Sequence, residues 1–157
     1  MSPRTLDINA TVTWTGNRGH GTAGPKAYAR DLVVSSEGKP DIPASTAPAF
    51  GGDPARYDPE ELFIASLSSC HMLWYLHLAA VAGVVVTAYG DRATGVLALE
   101  KDGSGRFTEV VLHPEVTISA ESDADKATAL HEKAHRLCFT AASVNFPVRI
   151  APVVRRA

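Results

Sequence analysis

Cysteine is nearly absent from this chain: only Cys70 and Cys138 occur among its 157 residues, and 45% of the residues are hydrophobic. A chain of that length and composition can bury the core of one compact domain without disulfide or metal staples. Charge of one sign is missing as well. Fifteen Lys plus Arg face 17 Asp plus Glu, a formal net charge of -2, so the electrostatic footprint of a nucleic-acid or anionic-membrane binder is lacking. The opening MSPRTLDINATVTW has no basic stretch followed by an apolar one, and no uninterrupted apolar run approaches the roughly 20 residues of a membrane span. These absences lead us to expect a soluble cytoplasmic protein, residues 1–157 forming one domain, with neither nucleic acid nor membrane as partner. In a reducing compartment, two cysteines point to catalysis, sensing or metal binding rather than to a permanent staple.

What is present reads as strands, a long apolar helix, more strands, a second helix and a closing strand, an α+β pattern. Asn9–Trp14 alternates apolar residues with Thr, glycines punctuate 16–24, and Tyr28–Ser35 predicts a second strand. Residues 38–59 are rich in Gly, Pro, Ala, Asp and Ser, predicting an irregular excursion with one short strand near Ile42. Asp58, Pro59 and Glu61 then form the start signal of a helix: an N-cap, a proline at the first helical position and a capping-box acid. The following segment is apolar on nearly all sides up to Gly83, which predicts a central buried helix carrying Cys70. Val84–Tyr89 reads as a buried strand, and two arms around KDGSG as a hairpin. Ser122 or Asp123 opens a second helix expected to run to about Phe139 and so to contain Cys138, and Val148–Val153 reads as the last strand.

Only a thiolate attacks peroxide or disulfide efficiently, and a free thiol titrates near 8.5, so a reactive Cys70 needs positive charge or hydrogen-bond donors beside it. Twelve residues past Asp58, it lies too deep in its helix for the N-terminal dipole to help. An arginine is therefore expected from elsewhere, with Arg56, Arg18 and Arg30 as candidates. A competing reading is a zinc metallohydrolase. His131, Glu132 and His135 spell HEKAH, an H-E-x-x-H whose spacing puts both imidazoles on one helix face. No downstream residue supplies an obvious third ligand, and the plainer expectation leaves Glu132 in solvent with the histidines at the helix surface or a dimer contact. A third reading is a non-enzymatic redox-sensing or apolar-ligand module walled by Met72, Trp74, Tyr75 and Leu78, although such clusters ordinarily form core.

The stretch DPARYDPEELFIASLSSCHM, followed by AHRLCFTAASVNFPV with Cys138 68 residues after Cys70, resembles a divergent branch of the family of osmotically inducible protein C and organic hydroperoxide resistance proteins. The resemblance covers nearly the whole chain. It implies antiparallel sheets around a long central helix in an intertwined homodimer, and a thiol peroxidase that needs no cofactor or metal. In that scheme Cys70 meets the peroxide, Cys138 resolves it to a disulfide, and an external dithiol, lipoyl-type or similar, resets the pair. Glu60 would be the site glutamate and either Arg56 or Arg18 its arginine. Glu60 and Cys70 are ten residues apart, about 15 Å along a straight helix. If both serve one site, a second chain is expected to supply the glutamate and an arginine.

Overall fold

The computed structural model describes residues 4–157, which divide into two compact units meeting after Leu62. In the N-terminal unit, β1 (Thr11–Trp14), β2 (Leu32–Ser35) and β3 (Ile42–Ala44) form an antiparallel sheet in that order. Between β1 and β2 the backbone is drawn together at Gly16, whose carbonyl accepts from the Ala29 N–H at 2.8 Å. A Cβ on Gly16 would sit 1.8 Å from the Ala29 oxygen, so no larger residue fits there. The Asn17 side chain closes the adjoining glycine-rich loop by accepting from Gly19 and Gly21. The expected excursion before the long helix contains β3 and a 3-10 turn at Pro48–Phe50.

Helix α1 (Pro59–Val81) starts where its sequence signal places it. The Asp58 carboxylate accepts from the Glu61 N–H at 2.7 Å, and the Glu61 carboxylate accepts from the Asp58 N–H at 3.1 Å. This reciprocal box satisfies two backbone donors that the first helical turn otherwise leaves free. At the other end Gly83 takes φ 74°, while Val84 N–H bonds the Ala79 carbonyl and Gly83 N–H that of Ala80. That is the Schellman geometry, and only glycine enters it without strain.

In the C-terminal unit, β4 (Val86–Asp91), β7 (Pro114–Ile118) and β9 (Val153–Arg156) form one sheet, and β5 (Thr94–Leu99), β6 (Gly105–Leu112) and β8 (Val148–Ile150) form another. The hairpin around KDGSG is present as β5 and β6, with Gly103 at φ 87°. Three expectations need correction here. The sheets are not wholly antiparallel, because β8 runs parallel to β6 and β9 parallel to β7. The single closing strand is two strands in different sheets. Pro152 lies at the break and has no N–H to continue a ladder. Finally, β4 is largely exposed or half-buried, and the buried residue of that stretch is Val84, just before it.

Helix α2 (Ala124–Leu137) is capped by the Asp123 carboxylate, which accepts from the Asp125 and Lys126 N–H groups. It stops one residue short of Cys138, whose ψ of 109° is extended, so the second cysteine follows the helix rather than lying within it. One core joins Tyr75, Leu78 and Ala79 of α1 to Val116, Ile118, Ala127 and Ala134. A second sets Leu67 on Val110 and Leu112. Helix α1 is long and apolar enough to cross a membrane by length and composition, but these residues commit one of its faces to the protein core. The opposite side leaves Leu73 exposed, as Val81 is at the helix end, so the helix is buried on one face and not all round.

Candidate thiol site

Leu67 anchors the turn of α1 that presents Cys70. From the other side, the extended backbone at Cys138 turns its sulfur toward that same turn, where the thiol lies 4.0 Å from the Leu67 carbonyl oxygen. Cys138 is buried, 1% exposed, while Cys70 is half-buried, and neither is in a disulfide. The Thr140 hydroxyl sits 3.3 Å from the Cys138 sulfur.

The two thiols are tuned in opposite directions. Burial alone would push Cys70 up, but the backbone N–H and hydroxyl of Thr140, the Cys138 thiol and the Phe139 N–H outweigh it and hold Cys70 below its ordinary value. Cys138 is pushed up, chiefly by burial and further by Cys70 beside it, with Thr140 and the Ala141 N–H opposing. Cys70 is thus the better thiolate, and Cys138 keeps its proton. These donors come from the segment just after α2, and the sequence reading missed them. The available signal was a hydroxyl two residues past Cys138, in C-F-T.

The other site residues named from the sequence lie in the N-terminal unit. Arg56 pairs with Asp53 at 3.3 Å and reaches Asp31 at 3.9 Å. Arg18 is exposed and lines a cavity of about 460 Å³ together with Lys26, Tyr28, Arg30, Asp31 and Asp53. Arg30 lies over the Tyr28 ring, 5.3 Å from its centre. Glu60 stands in the first turn of α1, with its Oε2 buried and without a hydrogen-bond partner among the described residues.

HEKAH does not present two imidazoles side by side to solvent. His131 is 3% exposed, its Nδ1 lies 3.0 Å from His71 Nε2, and its ring stacks on Tyr75 with centres 4.0 Å apart. The expectation of a surface histidine fails because position 131 shares the buried face of α2 with Ala127 and Ala134. Glu132 does face solvent, paired with Arg136 at 2.6 Å. Among the described residues, no group of three or more His, Cys, Asp or Glu side chains is arranged to hold a metal ion. The proposed apolar wall is divided too. Tyr75 and Leu78 belong to the core, while Trp74, half-buried against that core, also packs edge-on onto the exposed Phe139 at 5.6 Å.

A family model described as OsmC-like protein matches residues 51–152. An OsmC-like protein of unknown function from Vibrio cholerae is 34% identical over 95% of this chain and 100% of its own, with a TM-score of 0.84. An organic hydroperoxide resistance protein from Elizabethkingia anophelis shares 20% identity over 99% of this chain and 100% of its own, with a TM-score of 0.69. The organic hydroperoxide resistance protein OhrB of Bacillus subtilis shares 20% over 94% and 98%, with a TM-score of 0.58. The last two likenesses concern the fold. No curated protein shows a significant match.

Proposed function

Because the chain belongs to the OsmC-like protein family, a family whose solved structures include organic hydroperoxide resistance proteins, we propose that it is a thiol-dependent peroxidase for organic hydroperoxides. The observation that carries this reading is the pair of opposed thiols, Cys70 lowered and Cys138 raised beside the same Thr140. In the proposed cycle the Cys70 thiolate attacks the distal peroxide oxygen, the O–O bond breaks, and the leaving alkoxide takes a proton from solvent and departs as an alcohol while Cys70 becomes a sulfenic acid. Cys138 then displaces hydroxide from that sulfur to give a disulfide and water. An external dithiol, lipoyl-type or similar, reduces the disulfide and is itself oxidised. Trp74 and Phe139 supply apolar surface near the thiols, which favours an alkyl peroxide over hydrogen peroxide by about 0.8 kcal/mol for each methylene withdrawn from water.

Glu60 and one of Arg56 and Arg18 complete the site in this reading, contributed within a homodimer. Two facts support a pairing of this kind: the unpartnered buried oxygen of Glu60, which is costly to leave without a donor, and the exposed apolar side of α1. The whole chain acts as one domain in the cytoplasm. Intact mass under non-reducing conditions, after one equivalent of organic hydroperoxide, tests the cycle. A loss of two hydrogen atoms per chain, restored by dithiol, is expected. An unchanged mass with the peroxide unconsumed rejects it.

A further inference from the structure

The geometry points to Thr140 as a third catalytic residue, one hydroxyl serving both sulfurs: it donates to the Cys70 thiolate before reaction, then carries the Cys138 proton during disulfide formation. This rests on the peroxidase reading for its second half only, since the first half is a property of the thiols themselves.

Three structural features place the hydroxyl beside Cys138 and set that thiol toward the turn of α1 that carries Cys70. Its oxygen is 3.3 Å from the Cys138 sulfur, within hydrogen-bonding range of a thiol. The Cys138 sulfur lies 4.0 Å from the Leu67 carbonyl oxygen, one turn before Cys70 on α1, so the thiol that the hydroxyl contacts faces the turn that carries Cys70. The backbone between Cys138 and Thr140 is held by the Ala142 N–H, which bonds the Cys138 carbonyl at 3.0 Å, and by the Ser143 N–H, which bonds the Thr140 carbonyl at 3.1 Å. That turn fixes the hydroxyl relative to the thiol. The lowered Cys70 and raised Cys138 are the electrostatic result.

The chemistry needs such a group. When Cys138 attacks the Cys70 sulfenic acid, an S–S bond forms, the S–O bond breaks, and the departing hydroxide must take a proton while Cys138 must lose one. Cys138 is buried and its thiol is pushed up, so direct loss of its proton to solvent is disfavoured. The Thr140 hydroxyl accepts that proton and passes its own to the leaving hydroxide, which departs as water. A hydroxyl is both donor and acceptor, and valine, its isostere, is neither.

The test uses the full chain with Thr140→Val and Thr140→Ser, and reads two quantities. Alkylation of Cys70 by iodoacetamide, located by peptide mass across pH, is expected to shift to higher pH and slow about tenfold near neutrality in Thr140→Val, with Thr140→Ser restoring the wild-type curve. Disulfide formation after one equivalent of organic hydroperoxide is expected to slow further still in Thr140→Val, so that sulfenic acid accumulates to be trapped by a 1,3-dione, and to recover in Thr140→Ser. Coincident alkylation curves for wild type and Thr140→Val overturn the proposal, as does a Thr140→Ser variant no better than valine. A shifted alkylation curve in a protein that consumes no peroxide retains the donor role, removes the proton-transfer role and rejects the peroxidase reading separately. Should Thr140→Val fail to fold, Thr140→Ala is judged by the same two readouts.

Discussion

At the scale of single residues, the site is an arrangement for making two chemically identical side chains unlike. Cys70 is lowered because donors from the Phe139–Thr140 turn outweigh its partial burial, and Cys138 is raised because its burial dominates. The roles follow from that asymmetry. Replacing Cys70 with serine is expected to abolish peroxide consumption, whereas Cys138→Ser reacts once per chain and accumulates sulfenic or over-oxidised Cys70. Equal loss of the first turnover in both variants, measured by rapid-mixing peroxide assay, assigns the roles wrongly. A guanidinium from Arg56 or Arg18, oriented by Glu60, would add to the same stabilisation through charge-assisted contacts. Arg56→Ala, with Arg18→Ala as its rival, and Glu60→Ala are therefore expected to raise the pH at which Cys70 alkylates. If all three curves overlay the wild type, the donors after α2 act without them.

At the scale of elements, the contact between α1 and α2 is unusual in being polar at its centre. His71 and His131 stack 5.3 Å apart between the helices, both almost wholly excluded from water. Burial pushes His71 down to about 4, with the nearby His135 adding to the effect and Asp91 opposing it, and pushes His131 down to about 3, with His71 adding. Both are neutral in the folded protein, while in the unfolded chain they titrate near the ordinary 6.5. Unfolding therefore takes up protons below that value. Stability is little affected by this pair above about pH 7 and falls as the pH drops from 6.5 toward 4, by about 2 kcal/mol for each histidine and so about 4 kcal/mol for the pair at pH 5. Urea unfolding at pH 7 and pH 5 reads the loss directly. His131→Phe, which keeps the stack on Tyr75 and cannot take a proton, is expected to be less sensitive to acid than the wild type. A wild-type stability that is flat between those pH values contradicts the account.

The whole molecule turns on α1, which is apolar on more faces than the C-terminal unit covers. Leu67, Tyr75, Leu78 and Ala79 are buried there, whereas Leu73 is 63% and Val81 74% exposed. A helix that is hydrophobic all round ordinarily ends up covered all round, which is what the homodimer proposal supplies. Under the homodimer proposal, light scattering on the purified protein gives twice the chain mass. Leu73→Glu, at a position with little to lose inside one chain, is expected to yield a folded monomer with weakened peroxide turnover. A wild type that is monomeric at micromolar concentration rules the homodimer out.

Local signals were readable in advance wherever a few adjacent residues settle the outcome. The Asp58–Glu61 box, the Gly83 stop, the KDGSG hairpin and the Asp123 cap were each legible because capping and turn formation depend on neighbours within about six residues. The family's two cysteine contexts were legible for the same reason, each being a short continuous stretch. What adjacency cannot encode was decided by tertiary packing. Periodicity alone does not reveal that β8 and β9 join different sheets in parallel, that α2 ends a residue before Cys138, or that His131 turns inward onto His71 and Tyr75. Those outcomes depend on which distant surfaces meet. The donors around Cys70 belong to the same class. An arginine is the expected partner because charge is visible in a sequence, whereas a backbone N–H group such as that of Thr140 is carried by every residue but proline and acquires a role only when the fold aims it at a sulfur 70 positions away.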